Sequence, residues 1–154
     1  MKNLVLVLLV ICIGCSTQPE PVSEKEVLKS VEGFFDALDV ENSDPTLIDK
    51  YVTHDFMLYE IGKKMTKEEF IEFVSGLPII KSDWKLSDYR ISSDINSAHI
   101  SLHNSGVFLL QIDSLTIQQE YKWLESAYLV KERDSLKIKF YFSDNISVKT
   151  DTIK

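Results

Sequence analysis

The stretch YKWLESAYLVKERDSLKIKFYF, residues 121–142, decides which class of fold the chain adopts. Apolar and polar side chains alternate along it, and the polar residues Arg133-Asp134-Ser135 interrupt the alternation near its middle. A period of two is typical of a β-strand that has one buried face. The stretch therefore predicts two antiparallel strands joined by a tight turn.

The same period continues on the N-terminal side of this hairpin and predicts four long strands in all. Their expected ranges are 82–94, 97–112, 116–131 and 135–148, with turns at 94–96, 113–114 and 133–135. In the last strand, Phe140 and Phe142 have the same parity as Leu136 and Ile138, so we expect them to face the core. Gly106 predicts a bulge at which a long strand bends.

Helical signals come before these strands. Ser23 with Glu26, and Thr66 with Glu69, have the spacing of capping boxes, and apolar residues at helical spacing follow each pair. They predict a first helix that ends near residue 40 and a third helix that ends at residue 76. A shorter second helix is expected to begin at Asp44-Pro45, because proline is tolerated in the first turn of a helix.

Helices followed by long antiparallel strands indicate an α+β domain, with helices packed on one face of a curved sheet. The segment DFMLYEIG, residues 55–62, adds a compact strand between the second and third helices that turns at Gly62. The chain is 44% hydrophobic and contains eight Phe, six Tyr and two Trp, so it can form a core of its own. Its two cysteines, Cys12 and Cys15, lie close together near the N-terminus and predict no disulfide in the domain.

The N-terminal stretch LLVICIGCSTQPEP, residues 8–21, combines an apolar run with a single cysteine and a polar tail. The apolar run from Leu4 to Gly14 is too short to cross a bilayer, which takes about 20 helical residues. Lys2 before the run and the small residue Gly14 directly before Cys15 are typical of a cleaved secretion signal. The order Cys12-Ile13-Gly14-Cys15 resembles a bacterial lipobox, although the first lipobox position is usually Leu.

This resemblance implies a lipoprotein signal peptide over residues 1–14, followed by acyl chains such as palmitate on Cys15 and a tether through residue 22. The domain then covers residues 23–148, with a tail at 149–154. Two or three acyl chains hold a protein stably on a membrane. Ser16 after the cysteine resembles the signal for delivery to the outer membrane, with the domain facing the periplasm. The alternative is an ordinary cleaved signal in which Cys15 is incidental.

The charge of the chain excludes one class of partner. With 17 Lys and Arg against 24 Asp and Glu, the formal net charge is −7, and the sequence contains no run of basic residues. Such a surface repels phosphate backbones. We therefore expect no nucleic-acid partner.

Three stretches together resemble the nuclear transport factor 2-like superfamily, also called SnoaL-like or ketosteroid-isomerase-like. They are VLKSVEGFFDAL at 27–38, HDFMLYEIGKKMTKEEFIEFV at 54–74 and the hairpin quoted above. The resemblance implies a cone, in which three N-terminal helices pack on the concave face of a strongly curved, mainly antiparallel sheet. Many relatives have a Trp at the start of the last strand and His further along it, where this chain has Leu136, Phe140 and Phe142. That departure makes the expected cavity wall more apolar.

Seven side chains are candidates to line such a cavity as ligand-binding residues. They are Tyr59, Trp84, Tyr121, Trp123, Glu125, Phe140 and Phe142. Alternation places Tyr121, Trp123 and Glu125 on one face of their strand but does not say which face. If they face inward, they form an aromatic slot with one carboxylate, which suits a flat or amphipathic small molecule. If they face outward, they cover the convex face or form a homodimer contact through the sheet.

No cofactor or metal site is predicted. His99 and His103 are four residues apart, but on a strand that spacing separates them by about 13 Å, too far to share one ion. His54 at the start of the first strand reads as a surface group. The sequence contains no Gly-rich phosphate loop and no nucleophile elbow.

Two functions remain open, beside that of a purely structural dimer. One is a module that binds a small apolar or aromatic ligand, or a protein partner, without catalysis. The other is an enzyme of the isomerase, dehydratase or cyclase type, with Glu125 or Asp88 as proton carrier and Tyr59 or Tyr121 as hydrogen-bond donor. An apolar cavity favours the first, whereas a buried carboxyl group within hydrogen-bond reach of a tyrosine favours the second.

Overall fold

The structure is a computed structural model that describes residues 19–42 and 44–153. The predicted signal peptide and the predicted lipid attachment site at Cys15 lie outside the described residues. Within the described ranges, no helix is both long enough and apolar enough to cross a membrane.

The described chain forms two α-helices, one 3₁₀ helix and six strands. In chain order they are α1 (Glu24–Leu38), the 3₁₀ helix (Pro45–Lys50), β1 (Val52–Glu60), β2 (Lys63–Thr66), α2 (Lys67–Ser75), β3 (Ile79–Ser93), β4 (Ser97–Ile112), β5 (Leu115–Glu132) and β6 (Ser135–Thr152). The four long predicted strands and their three turns are confirmed. β6 runs on to Thr152, past the predicted end at residue 148.

Both predicted capping boxes are present. The Ser23 hydroxyl accepts a hydrogen bond from the Glu26 amide, and Thr66 accepts one from Glu69, with the reciprocal bonds also formed. The expectation of three N-terminal helices is not confirmed, because one main helix precedes the sheet. The second predicted helix is a six-residue 3₁₀ turn that begins at Pro45, and α2 follows the β1–β2 hairpin.

The sheet has the order β2-β1-β6-β5-β4-β3, in which only the β1–β6 pair is parallel. Adjacent residues of α1 show how far this sheet curls. The Phe34 ring lies 5.3 Å from Tyr141 of β6, whereas the Phe35 ring lies 5.0 Å from Trp84 of β3. Two strands separate β6 from β3 in the sheet. The sheet must therefore curve around α1, because adjacent residues of this helix contact both strands.

A bulge in β6 reverses the parity that alternation predicts for its second half. Leu129 of β5 pairs with Ile138, but the preceding residue, Tyr128, pairs with Phe140, so Lys139 is an extra residue on β6. The prediction that Phe140 and Phe142 face the core is therefore wrong. Beyond the bulge the buried positions are Tyr141 and Ser143, whereas Phe142 is 43% exposed on the outer face, away from the helices.

The bulge expected at Gly106 is also wrong, because β4 and β5 stay in continuous register through this residue. The glycine is needed for space on the concave face. A Cβ atom there would lie 2.8 Å from the Phe108 ring and 2.9 Å from the Trp123 ring. The register of β3 against β4 shifts elsewhere, between Ile79 and Lys81 and between Ser87 and Arg90.

Candidate functional site

A cavity of about 490 Å³ lies between the concave face of the sheet and the C-terminal halves of α1 and α2. This volume is within the range of small-molecule sites, roughly 300–1,000 Å³. Its wall is mostly apolar. The helices contribute Phe34, Phe35, Leu38, Phe70, Phe73 and Val74.

Four aromatic rings from the sheet form one side of the cavity: Trp84, Phe108, Tyr121 and Trp123. Tyr121 and Trp123 stack with an interplanar angle of 5° and a centroid distance of 5.0 Å. Trp84 lies 4.9 Å from Phe108 and 5.9 Å from Trp123. The Trp84 Nε1 donor is buried and has no hydrogen-bond partner among the described residues. This side of the cavity suits a flat ligand.

Glu125 of β5 is the one carboxyl group that is fully buried among the described residues, with 4% of its surface exposed. Tyr141 Oη donates a hydrogen bond to Glu125 Oε2 at 2.8 Å, and Ser143 Oγ donates to Oε1 at 3.3 Å. Both donors come from β6 beyond its bulge. The bulge therefore places a tyrosine next to the buried carboxyl group.

Burial raises the pKa of Glu125 to about 7, because a charged carboxylate loses hydration in the cavity wall. The Tyr141 hydrogen bond, the Asn104 amide and Ser143 oppose this rise, and the negative charge of Glu60 adds to it. Neither Asn104 Nδ2 nor Oδ1 has a partner of hydrogen-bond geometry in the described ranges, so Asn104 acts on Glu125 as a nearby amide dipole. Near neutral pH, Glu125 can gain or lose a proton.

A second carboxyl group, Glu60 at the end of β1, lines the same cavity. Ser143 of β6 pairs with Glu60 on one side and with Glu125 on the other. The two carboxyl-bearing residues thus lie in one row across the concave face, with Cα atoms roughly 10 Å apart. Burial raises the pKa of Glu60 as well.

Comparison with known proteins gives the fold a name but leaves the activity open. No family model matches the chain, and no curated protein matches it. Solved structures do match over about four-fifths of its length. A nuclear transport factor 2-like superfamily protein from Salmonella enterica serovar Typhimurium aligns with a TM-score of 0.68 at 15% identity, covering 80% of this chain and 90% of its own. The chain has the nuclear transport factor 2-like fold.

Other proteins with this fold differ in what they do. Hexachlorocyclohexane dehydrochlorinase LinA-type3 from Novosphingobium barchaimii aligns with a TM-score of 0.68 at 7% identity, covering 82% of this chain and 88% of its own. A CaMKII hub from S. rosetta aligns with a TM-score of 0.66 at 16% identity, covering 82% and 99%. One is an enzyme and the other a hub, so the nuclear transport factor 2-like fold by itself does not decide between catalysis and binding.

Four of the seven residues predicted to line the cavity lie in its wall: Trp84, Tyr121, Trp123 and Glu125. Tyr121, Trp123 and Glu125 therefore lie on the concave face of the sheet, a point that alternation alone left open.

Tyr59, Phe140 and Phe142 do not line the cavity. Tyr59 alternates with the inward residues Leu58 and Glu60, and its ring lies 5.2 Å from Phe140 on the outer face. The bulge at Lys139 sends both phenylalanines to that face. A homodimer contact through the outer face stays a prediction.

Sequence reasoning missed polar residues that line the site, among them Asp39, Glu60, Tyr141 and Ser143. Simple alternation assigned Tyr141 to the solvent side, and nothing in the sequence of β6 marks the extra residue that reverses it. The carboxyl group of Asp88, by contrast, is 81% exposed and lies 3.4 Å from His103 Nδ1 on the outside of the sheet, away from the cavity.

The three histidines, His54, His99 and His103, are all exposed, and none lines the cavity. Between residues 19 and 153, leaving out residue 43, no group of three or more His, Cys, Asp or Glu side chains comes together as a metal site.

Proposed function

We propose that this cavity binds a small, flat, largely apolar molecule, and that a lipid on Cys15 holds the domain at the bacterial cell envelope. The observation that carries the binding proposal is the cavity of about 490 Å³, which has four aromatic rings on one side and a single fully buried carboxyl group. The rings supply apolar contact area, and Glu125 supplies the polar group that orients a ligand.

A ligand screen by thermal shift tests the binding proposal. The chain from Ser16 to Lys154 contains every residue that the structure describes. A compound that binds only the native state stabilises it by about 2.7 kcal/mol at a concentration one hundred times its Kd. Flat aromatic compounds are therefore expected to raise the midpoint of unfolding.

Two tyrosines on opposite faces of β5 provide a matched pair for this screen. Tyr121 lines the cavity, whereas Tyr128 is 41% exposed on the outer face. Tyr121→Ala is expected to reduce the ligand-induced shift and Tyr128→Ala to preserve it. A compound that stabilises the Tyr121→Ala variant as much as the unmodified protein does not bind in this cavity.

A second candidate function, acid–base catalysis on the bound molecule, is favoured by the contact between Tyr141 and Glu125. A buried carboxyl group with a pKa near 7 can take a proton from a substrate and return it, and the hydrogen bond that Tyr141 donates to it stabilises its ionised form. Isomerases, dehydratases and cyclases use such a group. Turnover in a panel of these reactions that disappears in Glu125→Gln, with ligand binding kept, would support catalysis, whereas turnover that survives would exclude Glu125 as the proton carrier.

Replacing Cys15 with Ser is expected to block lipid attachment and to leave the unprocessed precursor in the cell. The reason is that the acyl group is attached through the cysteine sulfur, and cleavage follows that attachment in a lipobox. Mass spectrometry of the protein extracted from membranes measures both outcomes. Cys12→Leu, which restores the usual first lipobox residue, serves as the control and is expected to remain lipidated. An unlipidated mature form of the unmodified protein would show that the assignment is wrong.

A further inference from the structure

The charged side chains in the wall of the cavity all have the same sign. In the described ranges, Asp39, Glu60 and Glu125 line it, and no Lys, Arg or His does. Glu60 and Glu125 share a row through Ser143. Asp39, the C-cap of α1, accepts a hydrogen bond at Oδ1 from Ser82 Oγ at 3.0 Å. A cleft with one sign of charge and apolar walls focuses the electric field on whatever it binds. A cation would be favoured there.

Backbone dipoles add to this negative potential. Residues from the last turn of α1 and from the last turn of α2 line the cavity, so the C-terminal ends of both helices lie at its wall. A helix C-terminus carries a partial negative charge and favours a cation nearby. Neither helix has a basic residue in its last turn to neutralise that charge. This observation is independent of the three carboxyl groups.

The aromatic side of the cavity is compatible with a cation as well. Each of the four rings has its centroid within about 6 Å of at least two of the others. Trp and Tyr rings attract ammonium groups through their negative faces. Oxygen acceptors and aromatic faces are the groups that recognise a protonated amine.

We propose that the molecule bound in this cavity is an amine: a flat aromatic or apolar body that carries one ammonium group, which lies between Glu60 and Glu125. This inference rests on the proposed binding function and specifies its ligand class. The aromatic rings contact the body of the ligand, while the carboxylates and the two helix C-termini balance its charge.

Three probes with the same indole ring and different charges test the inference: tryptamine, tryptophol and indoleacetate. Calorimetry with the chain from Ser16 to Lys154, at about pH 8 where the Glu125 carboxyl group is mostly ionised, measures their affinities. Tryptamine is expected to bind about ten-fold more tightly than tryptophol, or better, and indoleacetate is expected to bind most weakly.

Two variants separate the charge of the cavity from the charge of the whole protein. Glu60→Gln is expected to lower the affinity ratio of tryptamine to tryptophol, and Glu68→Gln, which removes an exposed carboxylate of α2 outside the cavity, is expected to leave the ratio unchanged. Tryptophol binding equal to or tighter than that of tryptamine would overturn the amine inference and keep the proposed cavity function. Failure of all three probes to bind would overturn both.

Discussion

Replacing Phe34 with Ala is expected to lower the free energy of unfolding by about 3–5 kcal/mol. Phe34 is 1% exposed and lies at the centre of an aromatic cluster in the core. Its ring centroid is 5.3–6.2 Å from the rings of Phe35, Phe56, Phe70 and Tyr141. These neighbours come from both helices and from two strands, so they cannot all move inward to fill the void left by a missing ring.

Chemical denaturation of the chain from Ser16 to Lys154 measures this loss, and Phe142→Ala is the matched control. Phe142 belongs to the same strand as Tyr141 but is 43% exposed on the outer face, so its loss is expected to cost about 1 kcal/mol or less. Equal losses in the two variants would mean that the bulge at Lys139 does not reverse the parity of β6. The pair therefore tests the register of the strand that supplies Tyr141 to the site.

Local signals in the sequence predicted most of the secondary structure because each depends on neighbouring residues only. The Ser23–Glu26 and Thr66–Glu69 pairs close within one helical turn. Burial alternates along β4 as far as Leu110 and along β5 from Lys122 to Leu129, so the sequence pattern correctly placed Trp123 and Glu125 on the same face.

The incorrect predictions concern residues whose orientation or packing depends on the neighbouring strand. The extra residue in β6 is visible only against β5, where Tyr128 and Leu129 pair with Phe140 and Ile138. A single strand read by itself cannot show that shift, so Tyr141 was assigned to the wrong face. The role of Gly106 depends likewise on the Trp123 ring of the next strand.

The candidate site was predictable in its aromatic part but not in its electrostatic part. Tyr121, Trp123 and Glu125 are two residues apart along one strand, a relation that the sequence displays directly. The approach of Glu60 to Glu125 requires the parallel pairing of β1 with β6, between strands far apart in the chain. Long-range pairing of this kind sets the charge of the cavity, and the amine inference depends on it.

The free energy of unfolding of Glu125→Gln, measured relative to that of the unmodified protein, is expected to increase by about 3 kcal/mol between about pH 4 and about pH 8. The Glu125 pKa is about 7 in the folded protein against an ordinary value of 4.5. As the pH rises from about 4.5 to about 7, the unfolded chain loses this proton first, so the stability of the folded state falls. A glutamine keeps the oxygen that accepts from Tyr141 but has no proton to lose, so the fall attributable to this position disappears.

Denaturation curves of both proteins across this pH range give the difference in their free energies of unfolding at each pH. Contributions from groups that titrate alike in the two proteins cancel in this difference. Glu68→Gln is the control, because its carboxylate is 74% exposed on α2 and lies outside the cavity. A constant difference between Glu125→Gln and the unmodified protein would mean that the pKa of Glu125 is the same in the folded and unfolded states, so that its carboxyl group is ionised near neutral pH. In that case a fixed negative charge would already stand next to Tyr141, which would remove the basis for proton exchange and leave the charge that an amine ligand requires. The same titration therefore separates the catalytic candidate from the binding one.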